Sequence, residues 1–319
     1  MPTARIINVF MAAAVAASVN LASAQNFPSK LIRIVTNGAG TSFDITSRII
    51  AQGITAPLGQ SVIVDNRANG VIASELVTNA PPDGHTLLVS GGILWIFPIL
   101  QGKTYDPLKE FASVTLAALS PLLLVVHPSL PVKSVRELIA IAKAHPGQLN
   151  YASGATGSVN HLAGELFRTM SHVNIVRIGY KNATPALNDL IAGEVQFMFP
   201  VTGVVAQHLK TGRLRSVAVT SAERSALAPG LPTISESGLP GYESVSITAV
   251  LAPAKTPEAV IGRLNQEIVK VLTRPEVKQN FFNTGVESVG STPQQLTQAM
   301  IKDMATMTKL VKDANIHVD

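Results

Sequence analysis

The sequence predicts an α/β protein with two doubly wound, mostly parallel sheets, and three observations carry that reading. Strand-like and helix-like segments alternate through most of the chain. Two stretches far apart, 32–54 and 149–170, repeat one local plan of strand, small-residue loop and helix. The chain has 319 residues, 46% of them hydrophobic, enough for two ordinary domains at roughly 150 residues each. The pattern implies two halves facing one cleft, each presenting one of the loops.

Residues 1–24 read as a secretory signal. Arg5 precedes an apolar run at 6–19, and A-S-A at 22–24 offers a cleavage site before Gln25. The run is shorter than the ~20 residues of a spanning helix, and no later stretch resembles a span. The product is expected to be soluble and exported to the periplasm. With no cysteine in the chain, no lipid anchor is expected.

Residues 32–35 form the first strand, 36–42 (T-N-G-A-G-T-S) a small polar loop, and Ile45, Ile49, Ile50 and Ile54 one face of a helix. Strands at 61–65 and 86–89 flank a short helix at 73–79 and a P-P-D-G turn at 81–84. The third strand ends at Ser90. An apolar strand follows at 122–126, and Ser134 and Glu137 have the spacing of a capping box for the next helix.

The strand at 149–152 runs into S-G-A-T-G-S at 153–158, with Ser158 as the N-cap of a helix whose face is Val159, Leu162, Ala163, Leu166, Phe167 and Met170. A strand at 175–178 leads to a third loop at 179–183. Thr184 is placed to cap the next helix, with Pro185 at its first position and Gly193 just past its end. Strands at 195–199 and 216–219 flank a helix at 204–210, and 229–241 is a long connection. A strand at 245–251 and helices opening at Pro257 and covering 294–311 complete the chain.

Small-residue loops let a ligand approach the backbone, and helix starts offer unpaired N–H groups and a positive dipole end. Both loops therefore suit an anion, although such turns are also ordinary punctuation between strand and helix. Residues 36–43 and 153–158 contain no Lys or Arg. A carboxylate there is expected to rest on N–H groups, hydroxyls and water, with Lys181 the nearest cation. Gly157→Val is expected to block the second loop without harming the fold. His161 is the one histidine beside a candidate site and reads as a structural donor more readily than as a ligand contact. Asp44 fits a capping acid at least as well as a ligand contact.

The absence of cysteine excludes disulfides and thiolate chemistry, and the seven histidines have no metal spacing. No G-x-S-x-G, G-x-x-x-x-G-K-[ST] or H-E-x-x-H occurs, and no nucleophile–base pair is visible. Neither an enzyme nor a cofactor or metal is expected. Removing 1–24 takes the formal charge from +5 to 24 − 20 = +4, and no basic block carries interleaved aromatics, so nucleic acid is not an expected partner.

A set of short motifs then runs almost end to end: F-P-S-K-L-I-R-I-V at 27–35, V-D-N-R at 64–67, A-P-P-D-G-H-T-L-L at 80–88, H-P-S-L-P-V at 127–132, L-N-Y-A-S-G at 149–154 with Gly157, Ser158 and His161, P-A-L-N-D-L-I at 185–191, and G-R-L-R at 212–215. Together they resemble the extracytoplasmic solute receptors of the tripartite tricarboxylate transporter family, the Bug proteins. The resemblance implies a two-lobed periplasmic-binding-protein fold, type II-like, that holds a small carboxylate between its lobes and delivers it to the membrane permease subunits of a tripartite transporter. Presentation of the ligand to a membrane sensor kinase is the alternative. The expected layout is lobe 1 at 25–122 plus 252–319 and lobe 2 at 123–251, with crossings near 122–126 and 245–251, in a monomer. The expected ligand contacts are Asn37, Gly38, Ala39, Gly40, Thr41, Ser42, Asp44 and Ser90 from the first half. From the second they are Ser153, Gly154, Thr156, Gly157, Ser158, His161, Tyr180, Lys181 and Asn182. Phe43 stands where the family usually has a small residue.

Overall fold

The structure is a computed structural model that describes residues 27–101 and 106–316; the expected signal at 1–24 lies outside these. Its elements, in order, are β1 (Ile32–Asn37), α1 (Ser42–Leu58), β2 (Val62–Arg67), α2 (Gly70–Thr78), β3 (Thr86–Gly91), α3 (Ile93–Leu100), α4 (Pro107–Glu110), β4 (Phe111–Pro121), β5 (Leu123–Val126), α5 (Val135–Ala144), β6 (Asn150–Ser153), α6 (Val159–Ser171), β7 (Val176–Gly179), α7 (Ala183–Ala192), β8 (Phe197–Met198), α8 (Thr202–Lys210), β9 (Arg215–Val219), β10 (Val245–Pro253), α9 (Glu258–Leu272), α10 (Pro275–Asn283), β11 (Glu287–Ser288) and α11 (Pro293–Ala314).

Two sheets form, in the orders β11-β4-β10-β3-β1-β2 and β7-β6-β8-β5-β9. The βα units give the parallel pairs β1–β2, β1–β3, β6–β7 and β6–β8. The sheets are nevertheless mixed, because β10 runs antiparallel to both β3 and β4, and β5 antiparallel to both β8 and β9. Of the reversed strands, β5 and β10 are those at which the chain enters the second sheet and re-enters the first, and β11 is a short edge strand antiparallel to β4. A strand that leaves one sheet to enter another needs no crossover helix and need not follow the parallel rule. β4 and β10 pair over nine residues of β10, with two register shifts.

The chain passes between the two sheets twice. Only Leu122 separates β4 from β5. β10 lies wholly in the first sheet, so the chain returns from the second before Val245. The two passages are tied together: Leu122 N–H donates to Thr220 Oγ1 (2.8 Å), Thr220 N–H to the Leu122 carbonyl (2.9 Å), and Ser244 N–H to the Thr220 carbonyl (2.9 Å). All three residues are buried.

One apolar cluster sits between the first sheet, α1 and α9, including Ile34, Ile50, Ile54, Val250, Leu264 and Ile268. The second half has its own, including Leu123, Leu190, Val195 and Met198. A third joins the halves, from Leu88, Trp95 and Leu251 to Tyr151, Phe167 and Phe197. The C-terminal helix α11 adds Met307 and Leu310 to it and packs on β4, α3 and α6.

Local chemistry explains most boundaries. Thr41 caps α1 by accepting from Asp44 N–H, and Gly59 ends it at positive φ. Ser134 accepts from Glu137 N–H (3.2 Å), but Glu137 Oε2 reaches back to Lys133 N–H rather than to Ser134, so half the expected capping box forms. The full box is at Thr292 and Gln295. The cap of α7 is Asn182, not Thr184: the helix begins at Ala183 and takes in Thr184 and Pro185 within its first turn, where a missing N–H costs nothing. Ser158 caps α6 in position, but its hydroxyl turns to Asn160 instead of the helix amides.

Candidate functional site

The first loop is built around its own carboxylate. Gly38 and Gly40 take positive φ, which lets the chain turn from β1 into α1 within four residues. Asp44 Oδ2 accepts from Gly40 N–H (2.8 Å), while Oδ1 accepts from Asn66 Nδ2 (2.9 Å) and pairs with Arg48 (3.0 Å). Burial pushes this carboxyl up, and the bonds from Gly40, Asn66 and Arg48 outweigh it and hold the group below its ordinary value. Both oxygens have partners within the protein, so Asp44 shapes the loop. Gly38 N–H donates to the Arg67 carbonyl and Thr41 N–H to Gly38. The amides of Ala39, Ser42 and Phe43 have no acceptor among the described residues. The Phe43 ring covers Gly91, where a Cβ would stand 2.7 Å from it. A bulky residue in the loop is matched by a missing side chain on β3.

The strand ends supply the unpaired groups. Thr36 and Val89 are register partners in the parallel β1–β3 pair, so Asn37 and Ser90 occupy the next position on neighbouring strands. Asn37 Oδ1 and Ser90 Oγ are both buried without a hydrogen-bond partner, and Ser90 is only 2% exposed. An unsatisfied buried polar atom costs about 1–3 kcal/mol. Both lie at the carboxyl ends of adjacent parallel strands.

The second loop is held by a cation. The Arg177 guanidinium of β7 spans it, donating from Nε to Ser153 Oγ (2.8 Å), from Nη2 to the Gly154 carbonyl (2.9 Å) and from Nη1 to Thr156 Oγ1 (3.2 Å). The loop itself holds no Lys or Arg, as expected, but the cation on it is Arg177, not Lys181. Lys181 and Asn182 are exposed, and the Tyr180 hydroxyl points back to Asp189 Oδ2 (2.6 Å). Burial and the Asp189 carboxylate push that phenol up to about 12.

Asn160 is a second hub, accepting at Oδ1 from Gly154 N–H (3.3 Å), Ser158 Oγ (2.7 Å) and His161 N–H (3.1 Å). His161 Nδ1 accepts from Gly157 N–H (3.1 Å). Burial, then Arg177, lowers the imidazole to about 4, so it is neutral at pH 7 with its proton on Nε2. Sequence reasoning missed both Arg177 and Asn160. Arg177 is visible only through the β6–β7 register, which pairs it with Tyr151.

Gly157 does not face open space. It holds positive φ, and a Cβ there would stand 2.6 Å from Leu100 Cδ1 of α3. Valine at this position would strain the backbone and strike the first half, so the expected fold-neutral Gly157→Val is replaced by a destabilising one. No hydrogen bond or ion pair joins residues 36–43 to 153–158 among the described residues. Instead, a cavity of about 790 Å³ opens beside Ser90, between α2 and α3. Among the described residues no group of three or more His, Asp or Glu could hold a metal, and no helix is long and apolar enough to cross a membrane.

Comparison with known proteins places these features in context. The family model described as "Tripartite tricarboxylate transporter family receptor" matches residues 46–316. Protein BugT of Bordetella pertussis is 35% identical over 305 residues, covering 93% of this chain and 92% of its own. A protein of the tcbD-tcbE intergenic region of Pseudomonas sp. strain P51 is 34% identical, covering 92% and 89%. The structure of R. palustris Rpa4515 with adipate covers 91% of this chain and 99% of its own, at 34% identity and a TM-score of 0.73. That of MatC from Rhodopseudomonas palustris with bound malate covers 89% and 100%, at 27% and 0.69.

Proposed function

The chain belongs to the tripartite tricarboxylate transporter receptor family, and from that premise we propose that it is a periplasmic receptor that captures a small organic carboxylate and delivers it to the permease subunits of such a transporter. The observation that carries the ligand class is the pair of orphaned buried polar atoms, Asn37 Oδ1 and Ser90 Oγ, at the carboxyl ends of β1 and β3. Ser90 Oγ donates to one carboxylate oxygen and the free amides of Ala39, Ser42 and Phe43 add to the field, while Asn37 Oδ1, an acceptor, takes a hydroxyl of the ligand or a bridging water. Hydrogen bonds of this charge-assisted kind are about twice as strong as neutral ones.

The adipate and malate of the two R. palustris relatives are carboxylates of the same order of size. The tied passages at Leu122, Thr220 and Ser244 form the hinge about which the halves close. The receptor works as a monomer, exported by the segment at 1–24 and without catalysis.

A thermal-shift screen of carboxylates against sugars and amines tests the reading. A true ligand at ~100 times its Kd adds about 2.7 kcal/mol. Stabilisation by amines or sugars and by no carboxylate refutes it.

A further inference from the structure

The cavity between α2 and α3 has a lining that the capture of a generic carboxylate does not require. Part of it is a donor site. Ser90 Oγ, 2% exposed and without a partner, lines it, as do Gly70 and Val71, the first residues of α2. Asn69, the N-cap, takes Ile72 N–H (3.0 Å), and the amides of Gly70 and Val71 have no acceptor among the described residues. Another part is apolar. α3, I-L-W-I-F-P-I-L, is hydrophobic all round, which is expected of a helix buried on every side. Trp95 faces α11 through Asp303 (2.6 Å) and Leu100 faces Gly157, whereas Ile93, Leu94, Phe97 and Pro98 face the cavity. Ile93 is 42% exposed and Val71 49%, so this stripe is uncovered. Glu75, one helical turn on from Val71, and Glu110 also line the cavity. Neither forms an ion pair, and no Lys or Arg lines the cavity among the described residues.

We propose that this cavity is the specificity pocket of the receptor and selects carboxylates with an apolar body and no second carboxylate. The proposal rests on the carboxylate reading above and adds the class. The head group keeps the contact with Ser90 Oγ given above, and Gly70 and Val71 line the cavity that opens from it. The body lies along Val71, Ile93 and Phe97, and α2 runs about 12 Å from Gly70 to Thr78, at 1.5 Å per residue. A second carboxylate is penalised twice, by loss of its water against apolar walls and by repulsion from Glu75 and Glu110.

Hexanoate and adipate differ only by the terminal carboxylate and are the probes. In titration calorimetry with the full protein, hexanoate binds at least about tenfold more tightly than adipate, a difference of about 1.4 kcal/mol. Ile93→Asp, on an exposed position, weakens hexanoate by about tenfold or more. The double variant Glu75→Gln, Glu110→Gln narrows the gap by strengthening adipate. Adipate binding as tightly as hexanoate, or Ile93→Asp without effect on hexanoate, overturns the pocket while leaving a carboxylate receptor. Failure of both probes also overturns the pocket, and failure of malate, succinate and benzoate as well overturns the carboxylate reading with it.

Discussion

Removing the Arg177 guanidinium loosens the second loop by an amount the geometry sets. Arg177→Met keeps the unbranched apolar stem of the side chain and deletes three hydrogen bonds. The one to Thr156 is long and exposed, and water replaces it. The other two end on Ser153 Oγ, which is 0% exposed, and on the buried Gly154 carbonyl. Bonds to a charged group are worth about 1.5–3 kcal/mol each, giving about 3–6 kcal/mol for the pair, offset by about 2 kcal/mol of regained arginine rotamer freedom. The expected loss is about 2.5 kcal/mol. In thermal unfolding that is a fall of roughly 5–10 °C, at about 2–4 °C per kcal/mol for a chain of this size.

If the loop opens locally instead, the Gly157 amide exchanges roughly seventyfold faster, since 1.36 kcal/mol is a decade. His161 rises toward its ordinary range in the same variant, while burial keeps it below 6.5. A loss under about 0.5 kcal/mol, with unchanged exchange at Gly157, refutes the idea that Arg177 holds the loop.

The remaining predictions are these. His161 binds its proton near pH 4 in the folded protein and near 6.5 unfolded, so between these values the unfolded chain holds more protons. Stability is therefore full above pH 6.5 and falls by about 3 kcal/mol on descent to pH 4, a slope that His161→Gln removes in urea titrations at pH 7 and pH 4.5. Ser90→Ala deletes an unpaired buried hydroxyl and raises the stability of the free protein by about 1 kcal/mol; an equal loss in urea denaturation contradicts the absence of a protein partner for Ser90. Gly164→Ala places a Cβ 2.2 Å from the Tyr151 ring and costs about 1–3 kcal/mol by overpacking, measured by the urea midpoint.

The two strand–loop–helix units were legible because their signals are local: apolar spacing in α1 and α6, and glycines at the turns. The motif set also carried the family. What was not legible depends on residues that meet only in space. β4 escaped because its A-S-V-T-L-A-A-L core, buried on both faces, alternates nothing and is rich in alanine. α3 escaped because an uninterrupted apolar run with Pro98 inside it reads as neither helix nor strand. Both small-residue loops join a strand to a helix as their sequence implies, but their charged partners were not foreseen. The carboxylate of Asp44 satisfies one from within, and Arg177 reaches the other from a neighbouring strand. The unpaired Ser90 hydroxyl follows from the β1–β3 register, which no local pattern encodes.

The most direct test of the account is calorimetric titration of one carboxylate into the wild-type protein and into Ser90→Ala. Binding to the wild type is expected, with a loss of about 1.5–3 kcal/mol in the variant, the worth of a hydrogen bond to a charged group, and the variant at least as stable as its parent. Equal affinity for the two proteins would contradict it.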